Sequence, residues 1–283
     1  MWFASTSARI DHDSFMKTII TVGLIVLGCA ACSSTRQSQS NQNLLPALRP
    51  YINEVTYELG MVSADRKVVL NEIVSSIAAQ LEAGKPAKLT FICTHNSRRS
   101  HMSQIWAQTA AYYYGLERVE AFSGGTESTA CNCRTVTAMR RAGFDIQDAT
   151  TGDNPLYLVR YAADRPPIRA YSKVYNTDSN PKQDFIALMT CSVADKTCPV
   201  VAGAIGRFAI HYADPRLCDD TPTETTAYNE RCREIAREMF YIMSEVWVRH
   251  DAANRRRAPS RAGEEERSHS TKMFGSALAS VRE

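Results

Sequence analysis

In the run Cys93-Thr94-His95-Asn96-Ser97-Arg98-Arg99-Ser100, five residues separate a cysteine from an arginine. A thiolate is a nucleophile and a guanidinium grips two oxygens at once, so Cys93 and Arg99 together suit a tetrahedral oxyanion such as phosphate or arsenate. The Ser100 hydroxyl is spaced to donate to the sulfur. Thr94, His95, Asn96 and Ser97 are polar, turn-tolerant residues whose backbone amides can face an anion. Asn96 is the position suited to the left-handed conformation that turns those amides inward. Arg98 is the least determined member: it either joins the oxyanion cradle or faces solvent. The spacing alone is weak, because it arises by chance in a buried strand-end cysteine followed by a basic helix start.

The flanking elements strengthen it. Lys88 to Cys93 is short, apolar and β-prone, which predicts a buried parallel strand. Met102, Ile105, Trp106, Thr109 and Tyr113 recur at helical spacing after Ser100. Strand, tight loop and helix in that order aim loop amides and a helix N-terminus at an anion, and both favour a charged sulfur.

With these residues in place, the segment resembles the phosphate-binding loop of the low-molecular-weight tyrosine phosphatase superfamily, which includes thioredoxin-coupled arsenate reductases. Ala121-Phe122-Ser123-Gly124-Gly125-Thr126-Glu127 resembles the stretch after that family's second strand. Thr135 to Ile146 resembles the helix that follows, and Asp214-Pro215 its general-acid loop. The match runs from about Lys88 to Trp247. It implies an α/β fold, a doubly wound three-layer sandwich with a four-stranded parallel sheet and the phosphate-binding loop after the first strand. His95 departs from the glycine of many members and decorates the pocket mouth.

A second element separates two activities. Phe185 to Cys191 reads as another buried strand and leads into Ser192-Val-Ala-Asp-Lys-Thr-Cys198-Pro199. This Cys-x6-Cys-Pro segment resembles the redox segment of thioredoxin-coupled arsenate reductases. The resemblance implies that Cys93 attacks arsenate, that Cys191 attacks Cys93 to release arsenite, and that Cys198 passes the disulfide to a thioredoxin-like reductant. If residues 191 to 198 are helical, their seven steps at ~1.5 Å put the terminal Cα atoms about 10 Å apart. A disulfide needs them within ~7 Å, so the segment must unwind on oxidation. The plainer alternative is two packing cysteines or a static disulfide.

Phosphomonoester hydrolysis is the runner-up. Asp214 is able to protonate a leaving oxygen and then activate water on a phosphocysteine. Tyrosine phosphatases of this family carry aromatics after Asp-Pro, whereas Arg216 and Leu217 follow here, which tilts the expectation towards a small inorganic oxyanion. His95 or Tyr112 to Tyr114 are alternative sources of stacking, but the three tyrosines read first as helix packing with one edge wet.

The N-terminus predicts export. Thr18 to Leu27 is too short for a membrane span and reads as a signal h-region after Lys17. Leu27-Gly28-Cys29-Ala30-Ala31-Cys32 resembles a bacterial lipoprotein box, with Cys29 or Cys32 as the lipidated residue. Residues 1–15 lack signal character and read as lying upstream of the natural start. Residues 1–43 are therefore expected to be leader and flexible tether, and the protein a membrane-anchored lipoprotein on the periplasmic side. Without use of the leader it is cytoplasmic. Because an oxidising compartment threatens a thiolate, a third expectation is an exported oxyanion-binding or redox-sensing lipoprotein.

Residues 44–86 form a helical N-terminal extension, with a helix predicted from Ser63 to Ala83 and Val69, Ile73, Ile77 and Leu81 on its apolar stripe. Residues 87–249 form the phosphatase-like domain. Within it, two extended segments around Asp164-Arg-Pro-Pro167 predict a β-hairpin or flap near the pocket. Arg207 to Tyr212 is the predicted last strand, and Glu224 to Trp247 the final helix. Residues 250–283 are expected to be a disordered charged tail. Cys131 and Cys133 flank Asn132 without a second pair at zinc spacing, and Cys218 and Cys232 show no motif. No catalytic metal and no cofactor are expected. A net charge of +3 is too small to imply nucleic acid.

Overall fold

The computed structural model describes residues 41–257. The leader with Cys29 and Cys32, and the tail after Arg257, lie outside the described residues. The N-terminal extension supplies α1 (Arg49–Tyr57), a 3-10 turn (Glu58–Met61) and α2 (Ala64–Glu82). Ser63 caps α2 by accepting from the Arg66 amide, and Gly84, at φ +74°, ends it in the left-handed region.

β1 (Ala87–Cys93), α3 (Arg99–Tyr113) and β2 (Val119–Gly125) follow, then α4 (Cys133–Arg141). β3 (Asp145–Asp148), β4 (Tyr157–Arg160) and β5 (Ile168–Ala170) form a separate antiparallel sheet, so the expected hairpin exists and has a third strand. β6 (Phe185–Met189), α5 (Ser192–Thr197), β7 (Ala204–Ala209), a 3-10 turn (Pro215–Cys218) and α6 (Glu224–Arg257) complete the chain. Two boundaries differ from expectation. β7 begins and ends earlier than Arg207–Tyr212, because its pairing with β6 runs out at Met189↔Ala209. The last helix continues past His250 to Arg257, so residues 250–257 are helical rather than tail.

The main sheet has the order β2-β1-β6-β7, all parallel. Strand alternation splits the interior into two cores. Leu89, Phe91, Ile186 and Leu188 face the large one, shared with α1, α2, α3 and α6 around Trp106. Ile92, Phe185, Ala187 and Met189 face a small one under α5, with Ala194 and Val201. Helices thus cover both faces and give the three layers. Because the strands are parallel, the loops after β1, β2, β6 and β7 all leave one edge, which in open α/β sheets is the binding edge.

Candidate functional site

At that edge the chain from Cys93 to Arg99 forms a loop whose carbonyls at Cys93, Thr94, His95 and Ser97 are tied to the neighbouring segments. Thr126 N donates to Cys93 O (3.1 Å), Glu127 N to Thr94 O (2.8 Å), Ser172 Oγ to His95 O (2.8 Å) and Asn132 N to Ser97 O (3.0 Å). No acceptor among the described residues takes the amides of residues 94–98. Carbonyls outward and amides inward make an anion-binding concavity. Asn96 fixes it: fully buried at φ +44°, it donates from Nδ2 to Ser100 Oγ (2.9 Å) and accepts the Lys173 amide at Oδ1 (3.0 Å). Ser100 Oγ lies 3.1 Å from the buried Cys93 Sγ. Gly125 allows the close approach, since a Cβ there would sit 2.6 Å from Thr94 O and 2.7 Å from Asn96 N.

Arg99 donates to Tyr212 O (3.1 Å) and to Asp214 Oδ2 (2.6 Å). Asp214 also caps the Pro215–Cys218 turn by accepting Arg216 N at 3.1 Å. Arg98 does not face solvent. Its side chain is 11% exposed, donates from Nε to Tyr228 Oη (2.9 Å) and lies 3.9 Å from Asp214 Oδ1 and 3.6 Å from Asp219 Oδ2. Tyr228 in turn donates to Asp219 Oδ1 at 2.8 Å. The Asp214 carboxylate thus sits between two guanidiniums, one held by α6. His95 is at the mouth, with Nε2 3.6 Å from Glu127 Oε2. Leu217, after the Asp-Pro pair, is exposed.

Cys191 is the N-cap of α5, its sulfur accepting the Ala194 amide at 3.4 Å, and Cys198 is the C-cap. All the described cysteines are free. Cys191 is buried in the same small core as Cys93, with its Sγ 3.4 Å from Thr94 Oγ1, and the half-buried Cys198 packs against that core. The intervening residues are helical. β7 and the following loop hold them there, because Arg207 donates to Asp195 Oδ1 (2.5 Å), Asp195 O (2.7 Å) and Cys198 O (3.1 Å). His211 Nε2 is 2.9 Å from Asp195 Oδ2.

Cys93, Thr94, His95, Asn96, Ser97, Arg98, Arg99, Ser100, Cys191, Cys198 and Asp214 therefore converge on one edge. The hairpin sheet adds no lid over them. Instead the segment after it, Ser172 and Lys173, braces the loop from outside. Cys131 is buried, with its thiol pushed up to about 12 by that burial, and Cys133 is exposed. Among the described residues no group of three or more His, Cys, Asp or Glu side chains is set to hold a metal ion. No described helix is long and apolar enough to cross a membrane. Tyr228, Asp219, Ser172 and Lys173 carry no local signal as supports, because each meets the site through contacts distant in the chain.

Residues 88–153 match the low molecular weight phosphotyrosine protein phosphatase family. An arsenate reductase of Brevibacillus brevis is 31% identical over 125 residues, 44% of this chain and 74% of that protein. The chain belongs to the low molecular weight phosphotyrosine protein phosphatase family. An arsenate reductase of Bacillus subtilis is 28% identical over 144 residues, 51% of this chain and 85% of that one. A low molecular weight protein tyrosine phosphatase structure from T. tengcongensis aligns over 56% of this chain and 98% of that one, at 16% identity and a TM-score of 0.39. These relatives are enzymes, and this chain is an enzyme of the same family.

Proposed function

We propose that the chain reduces arsenate to arsenite through three thiols. The observation that carries this reading is the shared small core: Cys93 and Cys191 are buried in it and Cys198 packs on it. Cys93 attacks arsenic and a hydroxide leaves with a proton as water, while the loop amides and Arg99 hold the oxygens. Cys191 then attacks Cys93 Sγ. The S–As bond breaks with its electron pair going to arsenic, arsenite departs, and a Cys93–Cys191 disulfide remains. Cys198 attacks Cys191, freeing Cys93, and the Cys191–Cys198 disulfide is reduced by a thioredoxin-like dithiol. Binding of the oxyanion draws Arg99 away from Asp214. The arsenate reductases among the relatives support the reading.

The second reading, phosphomonoester hydrolysis, is favoured by Asp214, which sits beside the clamp with its carboxylate oxygens directed to Arg99 and the turn amide. Two assays on the purified protein separate them. Arsenate-dependent consumption of thioredoxin reducing equivalents, lost in both Cys93→Ser and Cys191→Ser, supports the reductase. Steady hydrolysis of an aryl phosphate, lost in Cys93→Ser and kept in Cys191→Ser, overturns it in favour of the phosphatase. Oxyanion binding with neither activity supports a sensing role instead. On the leader read from residues 16–34 the enzyme is anchored outside the cytoplasm by Cys29 or Cys32. Mass spectrometry of the membrane fraction, finding or not finding a diacylglyceryl cysteine, tests that reading.

A further inference from the structure

A groove of about 440 Å³ runs along the free edge of β2, between α3 and the loops that flank β5. It contains no residue of the Cys93–Ser100 loop. Lys173 lines it and is 7% exposed. Among the described residues no carboxylate lies within ion-pair reach of its ammonium and none accepts a hydrogen bond from Nζ. Its near neighbour is the ring of Tyr171, 4.7 Å below. A buried lysine ordinarily has an anionic partner, because desolvating an ammonium is unfavourable. Burial pushes this one down to about 8 against the opposing effect of the nearby Cys131 thiol, so it is still mostly charged at neutral pH. Two more cations line the groove. Arg169 is exposed and has no ion pair among the described residues, whereas Arg165 stacks on Tyr112 at 5.2 Å and lies 3.7 Å from Glu117 Oε1, outside the groove lining. Phe122, Pro167 and Tyr171 supply apolar and aromatic walls.

We propose that this groove binds a small organic anion, with its acid group at Lys173 and a flat apolar body against Phe122 and Tyr171. No acid lines the cavity, and of its three cations Lys173 and Arg169 have no acidic partner among the described residues, which selects for negative charge. The aromatic walls select for a planar body over an inorganic ion. The site is coupled to the oxyanion loop through one residue. The Lys173 amide donates to Asn96 Oδ1 at 3.0 Å, and its carbonyl accepts Gly125 N at 2.8 Å. An occupant that shifts Lys173 therefore pulls on the asparagine that shapes the loop.

The test is a titration of the full chain with benzoate, followed by backbone amide NMR, with and without saturating inorganic phosphate to fill the oxyanion loop. The expected result is saturable shifts at Phe122, Arg169 and Lys173 that persist with phosphate present. Affinity should weaken at least tenfold in Lys173→Met and about threefold in Arg169→Gln, and stay within threefold in Lys173→Arg. Shifts confined to residues 93–100, shifts that do not saturate, or unchanged affinity in Arg169→Gln would overturn the proposal. Arg169 is exposed, so that variant keeps the test decisive even if Lys173→Met does not fold.

Discussion

At the scale of single residues the loop depends on two buried side chains. Asn96 satisfies both ends of its amide, to Ser100 and to the Lys173 backbone, and holds a positive φ. Asn96→Ala leaves the Lys173 amide and the Ser100 hydroxyl without those partners, a loss of about 1–3 kcal/mol of stability. It also misplaces the Cys93–Ser100 pair, and turnover should fall by about 10²-fold. Asn96→Gly keeps the φ and loses the bonds, so its activity should stay low. Recovery of activity in the glycine variant would show that backbone conformation, not the amide, matters. The second residue is His101, fully buried on α3 with Nδ1 3.3 Å from Ser123 Oγ. Burial first, and the Lys173 charge second, push its pKa down to about 3, so the folded chain keeps it neutral. In the unfolded chain the imidazole titrates near 6.5. As pH falls from about 6.5 towards 3 the unfolded state takes up a proton that the native state refuses. This group's contribution is thus full above 6.5 and is lost at about 1.4 kcal/mol per pH unit below it. Denaturant midpoints measured from pH 7 to 4 should fall more steeply in the wild type than in His101→Gln. Parallel slopes would place the acid sensitivity elsewhere. Cys93, Arg99 and the left-handed Asn96 were legible because their meaning is local: type, spacing and turn preference. Lys173, Tyr228 and His101 were not, because burial and partners 22 to 130 residues away define them.

At the scale of elements, the strand–loop–helix and the capped α2 follow from sequence because periodicity, caps and breakers agree over each. β7 was misplaced because its half-exposed residues lack a clear alternation, and the pairing register with β6 sets its ends. α6 outran its expected end because its polar last turns remain good helix formers, with support such as the Asp251–Arg255 pair. The element with the sharpest consequence is α5. Cys191 and Cys198 cap its two ends, so the disulfide the reductase reading requires cannot form while it is intact. Arg207 grips both Asp195 and the Cys198 carbonyl and therefore opposes unwinding. Arg207→Gln should speed amide exchange of residues 192–198 in the reduced protein by roughly tenfold, as its three charge-assisted bonds to the segment are lost. It should also move the Cys191–Cys198 couple towards the disulfide in a thiol redox titration. Faster exchange with an unmoved redox balance would uncouple α5 from the relay. No change in exchange would refute the clamp itself.

At the scale of the whole molecule, the N-terminal extension is part of the catalytic fold's interior. Leu48, Ile52 and Val55 from the first helix and Leu70, Ile73 and Ile77 from the second are buried in the same core as Leu89 and Phe91 of β1. Tyr51 stacks on Trp106 of α3 at 5.2 Å between ring centres. The surface of this joint is charged: Arg233 of α6 pairs with Glu58 (2.8 Å) and Glu54 (3.0 Å), and Arg66 of α2 with Glu238 of α6 (2.7 Å). Glu238 also accepts the buried Tyr212 hydroxyl at 2.7 Å, and Tyr212 O receives Arg99. A continuous path of contacts therefore runs from the extension to the oxyanion clamp. Shared burial of this kind makes the extension and sheet one cooperative unit rather than two. Ile52→Ala, which empties a fully buried site far from the loop, should cost about 2–4 kcal/mol. The loss should appear equally in native-state amide exchange of α1, α2 and the central strands β1 and β6, because all open in the same global event. Turnover per folded molecule should stay near wild type. If only the α1 and α2 amides lost protection, the extension would be a separately folding appendage and the path to Arg99 would carry no energetic coupling.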